Sequence, residues 1–165
     1  MASWLHQPIA MPLARTKHFG TVDYEEAAVL TFPSGLPAFE RLTRFLLIEQ
    51  PAAAPLVFLQ SLGDAGVCLP AIAVMAVDPN YELSLTSEDL EELGFTSSEQ
   101  TPGPNSIGCF VIVSVPASGP PTANLLAPVV INLATRLAVQ SVRADTKYSH
   151  QHPVVPARDG EGVCS

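Results

Sequence analysis

The sequence predicts an all-β fold: a small antiparallel β-barrel-like (or sandwich) domain with one short helix near residues 87–93. Short runs rich in Val, Ile, Leu and Phe alternate with turn residues from residue 17 to residue 142. Sixteen prolines in 165 residues, roughly twice the usual frequency, leave little room for long helices and favour short strands joined by turns. About nine strand candidates stand against a single segment with full helix signals. Periodicity alone does not separate barrel from sandwich.

The first strands are read in KHFGTVDY (17–24) and AVLTF (28–32), followed by the turn-rich connection FPSGLPAFE (32–40). There Pro33 and Pro37 restrict φ, and Gly35 is free to take a positive φ. RFLLIEQ (44–50), LVFLQSL (56–62) and AIAVMAVD (71–78) continue the series. YELSL (81–85) alternates Tyr81, Leu83 and Leu85 with Glu82 and Ser84, the pattern of a half-buried strand. CFVIVSV (109–115) is apolar on both faces and suits a central strand covered on each side. VVIN (129–132) and LAVQSV (137–142) close the series.

The helix is read in TSEDLEELGF (86–95). Thr86 or Ser87 can cap it, Glu88 and Asp89 suit the positive end of its dipole, and Gly94 suits the residue after its last turn. In TANLLAPVVINLATR (122–136), Pro128 would break a helix, and the apolar run falls short of a membrane span. It reads as a loop entering a core hairpin, with Pro128 at the head of a strand and Asn124 and Asn132 bonding backbone at its ends.

Composition bounds the rest. The chain is 47% hydrophobic but only 15% charged, which argues for a packed core rather than disorder. Its length suits one domain, here residues 14–155, with flexible ends at 1–13 and 156–165. A net charge of −8 repels phosphate backbones, so direct nucleic-acid binding is not expected, whereas basic partners are favoured. Cys68, Cys109 and Cys164 form no C-x-x-C pair, and the first two sit in apolar runs as small hydrophobes. The N-terminus has no early basic cluster, and its apolar stretches are broken by Pro8 and Pro12, unlike a signal peptide or anchor. A reduced, cytoplasmic protein without membrane contact is expected.

Chemistry is sparse. The nucleophile elbow, the phosphate loop, G-x-G-x-x-G and H-E-x-x-H are all missing from the sequence, so no catalytic residue, metal or cofactor is expected. On a strand, His150 and His152 would share a face as two metal ligands should, yet no third ligand is near in sequence. The plainer reading is a polar strand end running into Pro153. Asp64 and Asp78 read as turn residues beside Gly63 and Pro79, not as an acid–base pair. Glu88, Asp89, Glu91 and Glu92 form either a docking face for a basic partner or the solvated face of an amphipathic helix.

Taken in order, TKHFG, LTFPSGLPAFE, FLQSL, VDP, LTSEDLEELG, TANLLAPVVIN and YSHQHPV span residues 16–154 and resemble the flagellar assembly factor FliW family. The resemblance implies a non-enzymatic, cytoplasmic, β-barrel-like chaperone that binds flagellin near its C-terminal end. It also implies binding to the RNA-binding translational regulator CsrA, relieving repression of flagellin synthesis by partner switching. Three departures stand out. The family has Gly where Ala38 stands and commonly Arg where Gln151 stands, and the segment 63–77 is several residues longer than usual. The longer segment leaves the local strand register open. Asn124, in the most specific motif, and the acidic residues Glu88, Asp89, Glu91 and Glu92 are the candidate partner-binding residues. A small-ligand-binding β-barrel is the alternative, and a hydrolase with a scattered site is a second.

Overall fold

This computed structural model of the protein describes residues 11–95, 103, 105–144 and 147–154. The candidate tail residue Cys164 and most of both expected flexible ends lie outside the described residues.

Two strands, β1 (Leu13–Thr16) and β2 (Gly20–Asp23), form a hairpin. A single strand over 17–24 was expected. Instead Thr16 Oγ1 accepts from Phe19 N–H and donates to the Gly20 carbonyl, and Gly20 takes a φ of +65°, so the chain reverses within that stretch. After a short 3-10 turn at Glu26–Ala28 come β3 (Leu30–Thr31), β4 (Arg44–Glu49), β5 (Leu56–Ser61) and β6 (Cys68–Ala73). One turn of helix, α1 (Val74–Val77), follows directly, so the strand expected over 71–78 ends early. Its pairing with the next strand runs out at Ala73, and Asp78 N–H then bonds back to the Val74 carbonyl. The fold therefore carries two short α-helices where one was expected.

The second helix, α2 (Ser87–Glu92), starts at Thr86 in a reciprocal capping box with Asp89 and is followed by Gly94 at φ +82°. The remaining strands are β7 (Ile107–Ser114), β8 (Thr122–Ala123), β9 (Val129–Asn132), β10 (Ala138–Gln140) and β11 (His152–Pro153). YELSL forms no strand. Tyr81, Leu83 and Leu85 are nonetheless half-buried, while Glu82 and Ser84 face out. The alternation reports burial of an extended segment that pairs with nothing, because hydrophobic period and ladder formation are separate requirements.

Hydrogen bonding runs in the order β10-β9-β7-β6-β5-β4-β3, antiparallel throughout, with β8 joined to both β7 and β11. The β5–β6 ladder is unbroken from Leu56↔Ile72 to Gln60↔Cys68, so the longer 63–77 segment introduces no slip. The two ends of the path meet at one parallel bridge, Thr31–Leu137, where Thr31 N–H donates to the Arg136 carbonyl at 2.9 Å. The sheet thus curls into a barrel-like shape whose two edges touch, among the described residues, at a single bridge, with no ladder to close it.

Every strand on that path contributes to the interior, through Leu30, Phe45, Leu59, Leu69, Phe110, Ile112, Val129, Ile131 and Ala138. Phe32 and Phe45 meet edge to face at 5.2 Å. Along β7 the alternate residues Val111 and Val113 enter a second cluster with Ile72, Val74, Ala123 and Leu125. Both faces of β7 are therefore covered, as its sequence requires. α2 closes the β9–β10 hairpin through Leu93, packed on Val130 and Val139. Asn132 locks this arrangement: its Nδ2 donates to the Leu93 carbonyl at 2.7 Å, and its Oδ1 accepts from Ala134 and Thr135 N–H.

Candidate interaction cleft

A cleft of about 330 Å³ forms where three distant segments meet. Its floor is apolar: Leu36, Phe39, Leu69 and Ile112. Its rim is polar and comes from Ser114 and Thr122 on the paired ends of β7 and β8, with Asn124, Gln140, His150 and Gln151. FPSGLPAFE, TANLLAPVVIN and YSHQHPV, three of the motifs that carry the resemblance, all place side chains here.

Local chemistry sets each wall. In the 32–40 turn, Gly35 has a φ of +67°, and a Cβ there would lie 2.5 Å from the Glu40 carbonyl oxygen, so only glycine fits. Phe32 and Leu36 carbonyls accept from Gly35 and Phe39 N–H, holding Leu36, Pro37 and Phe39 toward the cleft. Asn124 extends the β7 ladder through its own N–H to the Ile112 carbonyl, while its Oδ1 accepts from Leu126 N–H at 3.1 Å. Among the described residues no acceptor takes up its Nδ2, which is left for the cleft. Gln140 Nε2 is anchored on the Ala127 carbonyl.

The four acidic candidates stand elsewhere, and none lines the cleft. Two of them are engaged within the fold. Asp89 Oδ2 accepts from Thr86 N–H and, at 2.6 Å, from Ser141 Oγ; Glu92 Oε1 accepts from Ser34 Oγ at 2.5 Å. Glu88 and Glu91 are the exposed pair. The structure therefore does not join Asn124 and the acidic helix into one site. Leu36, Phe39 and Gln140 escaped the sequence reading, His150 was weighed only as a metal ligand and Gln151 was noted only as a departure from the family pattern; the signal that could have joined them is the grouping of the three motifs.

The polar strand end expected at His150–His152 is confined to His152, at the start of β11. Residues 150–151 form a turn in which Gln151 N–H bonds Ser149 Oγ, so His150 faces the cleft and His152, on β11, faces away from it. Among the described residues no group of three His, Cys, Asp or Glu is placed to hold a metal. Burial pushes the Cys109 thiol up to about 12 and raises that of Cys68, so both stay protonated and pack as apolar groups. Asp64 and Asp78 are turn residues, accepting from Gly66 and Asn80 N–H.

Beside the cleft wall, Arg143 sits over the rings of Tyr148 and Tyr81, at 4.9 and 5.7 Å, and donates to the Glu82 carbonyl. Tyr81 donates to the Leu125 carbonyl, and burial pushes its hydroxyl up to about 12 against the opposing effect of Arg143. Lys147 pairs with Glu82, which raises its ammonium pKa. This cluster fixes residues 147–154 against the body of the protein and so positions His150 and Gln151.

No helix among the described residues is long and apolar enough to cross a membrane. The family model for the FliW protein matches residues 13–154. The chain is 33% identical to the flagellar assembly factor FliW of Thermosipho africanus over 135 residues, 81% of this chain and 89% of that one. It is 36% identical to the flagellar assembly factor FliW of Caldanaerobacter subterraneus subsp. tengcongensis over 144 residues, 85% and 91% of the two chains. A crystal structure of the flagellar assembly factor FliW superposes with a TM-score of 0.74 at 30% identity, covering 89% of this chain and 99% of that chain. Matched in sequence over nearly all of its described length and in the path of its backbone, the chain belongs to the FliW family of flagellar assembly factors.

Proposed function

We propose that this protein is a non-enzymatic cytoplasmic regulator that binds the C-terminal region of flagellin as a chaperone and also binds CsrA, antagonising its repression of flagellin translation. Unsecreted flagellin occupies the protein and leaves CsrA free to silence the message. Export of flagellin releases the protein to bind CsrA. The observation that carries this reading is the cleft itself, an apolar floor with a polar rim built from three separated motifs. Such a surface takes an apolar side chain and fixes its backbone by hydrogen bonds, as a protein partner requires. The net charge of −8 favours a basic RNA-binding partner and disfavours RNA. A small-ligand barrel is the weaker alternative, since the curled interior is filled by Phe32, Phe45, Leu59 and Ile131.

Titration calorimetry tests the switch. Each partner is expected to bind alone, and saturation with flagellin is expected to abolish heat from CsrA. Independent binding of both at unchanged affinity would sink the model. Replacing His150 and Gln151 together by Ala, both exposed, is expected to weaken one partner about tenfold while leaving folding unchanged.

A further inference from the structure

A second, larger depression of about 710 Å³ lies across β7 from the cleft. Successive side chains of a strand point to opposite faces, and here Ile112 and Ser114 line the cleft while Val113 and Val115 line the groove. The same division continues along the last segment, with His150 and Gln151 on one side and His152, Pro153 and Val154 on the other. Strands β7, β8 and β11 thus form a thin wall between two concave surfaces.

The groove is apolar. Leu56, Ile72, Val113, Val115 and Val154 line it, His152 is its one polar side chain, and no Lys, Arg, Asp or Glu is among the described lining residues. Val115 is 69% exposed, and Met75, on the adjoining turn α1, is 59% exposed. A surface of this kind left open to water marks an interaction site.

Chemistry narrows the occupant. Three prolines, Pro55, Pro121 and Pro153, line the groove and offer no N–H, so an added strand would find few ladder donors there. The occupant must satisfy its own backbone, which a helix does. The charges flanking the lining are acidic: Glu49 pairs with Val57 beside Leu56, and Asp78 follows Val77. Residues 155–165 supply only two valines as larger apolar side chains, too few to fill the groove. A second copy would bring another charge of −8 against this one.

We infer that this groove is a docking site, separate from the cleft, for an amphipathic helix bearing Lys or Arg beside its apolar face. The inference deepens the proposed function, on which it rests for its biological partner: the switch acquires two surfaces back to back. The wall between them rests on the two-residue ladders of β8 and β11.

The test uses the full chain and fluorescence anisotropy with labelled helical peptides of about 18 residues, five turns long, with a leucine face flanked by Lys. A Glu-flanked version and a scrambled version of the Lys peptide serve as controls. The Lys peptide is expected to bind, and Val115→Glu, at an exposed position, is expected to weaken it about tenfold or more. Glu49→Lys is expected to weaken it less, with the loss fading in high salt. Equal binding to wild type and Val115→Glu, equal binding of the scrambled peptide, or no binding would overturn the inference. So would wild-type dimers that Val115→Glu dissolves, or tighter peptide binding on removal of residues 155–165, since each identifies another occupant. Flagellin and CsrA are titrated against the same two proteins. If wild type binds neither, the proposed function fails whatever the peptide does; if both partners bind Val115→Glu as they bind wild type, only the groove assignment fails.

Discussion

Ala38 holds a φ of +71°, in the left-handed region that costs a residue with a Cβ about 1 kcal/mol or more. A glycine, with no Cβ, would adopt this φ without that cost. Ala38→Gly is expected to stabilise the protein by about 1 kcal/mol, read as a raised denaturant midpoint with an unchanged slope. Gly35→Ala is expected to act in the opposite direction and more strongly, because its Cβ would strike backbone and not a side chain able to move aside. Cys109 titrates in the same logic. Its thiol ionises near 9 when unfolded and only at about 12 when folded, so the folded state holds its proton longer. The resulting stability is complete below pH 9 and is lost as pH rises from there toward 12. Cys109→Val is expected to flatten that alkaline decline in thermal melts from about pH 8 upward, where the unfolded thiol begins to ionise and the folded one stays protonated.

At the level of elements, α2 shows how an acidic run divides between structure and surface. Thr86→Ala removes the cap and is expected to cost about 1 kcal/mol. Asp89→Asn is expected to destabilise as well, since that carboxylate serves the capping box and Ser141. Glu88→Gln with Glu91→Gln is expected to leave stability within about 0.5 kcal/mol of wild type. If α2 faces a basic partner, that double variant slows association with CsrA at low salt and not at high salt, measurable by stopped flow. The β9–β10 hairpin depends on Asn132 in the same manner. Asn132→Ala is expected to cost about 2 kcal/mol, because it frees the buried Leu93 carbonyl and two turn N–H groups.

Across the whole molecule, one curled sheet supports two kinds of surface. Its interior is closed by apolar side chains from seven strands, and its rim leaves the cleft and the groove on either side of β7. β7 was legible in advance from CFVIVSV (109–115), a run apolar on both faces that requires cover on both sides, and the strand, Ile107–Ser114, receives it. The hairpin around Asn132 was legible too, from Pro128 and two asparagines that resist helix. YELSL was misread because its period recorded which side chains are buried without recording whether a neighbour strand is present. β8 was missed because two residues carry no periodicity at all, and β11 was anticipated only as a polar strand end running into Pro153.

Residue order alone was enough to establish an all-β class, a helix near residues 87–93 capped by Thr86 or Ser87, the core hairpin, the apolar character of Cys68 and Cys109 and the family, since each depends on local propensity or on a linear motif. Contact between the sheet's two edges at Thr31–Leu137, the meeting of three motifs in one cleft, the sorting of Asp89 and Glu92 from Glu88 and Glu91, and the opposite facing of His150 and His152 were decided only in three dimensions. Those features join residues far apart in the chain or depend on the path of a single turn, and a one-dimensional pattern carries no record of either.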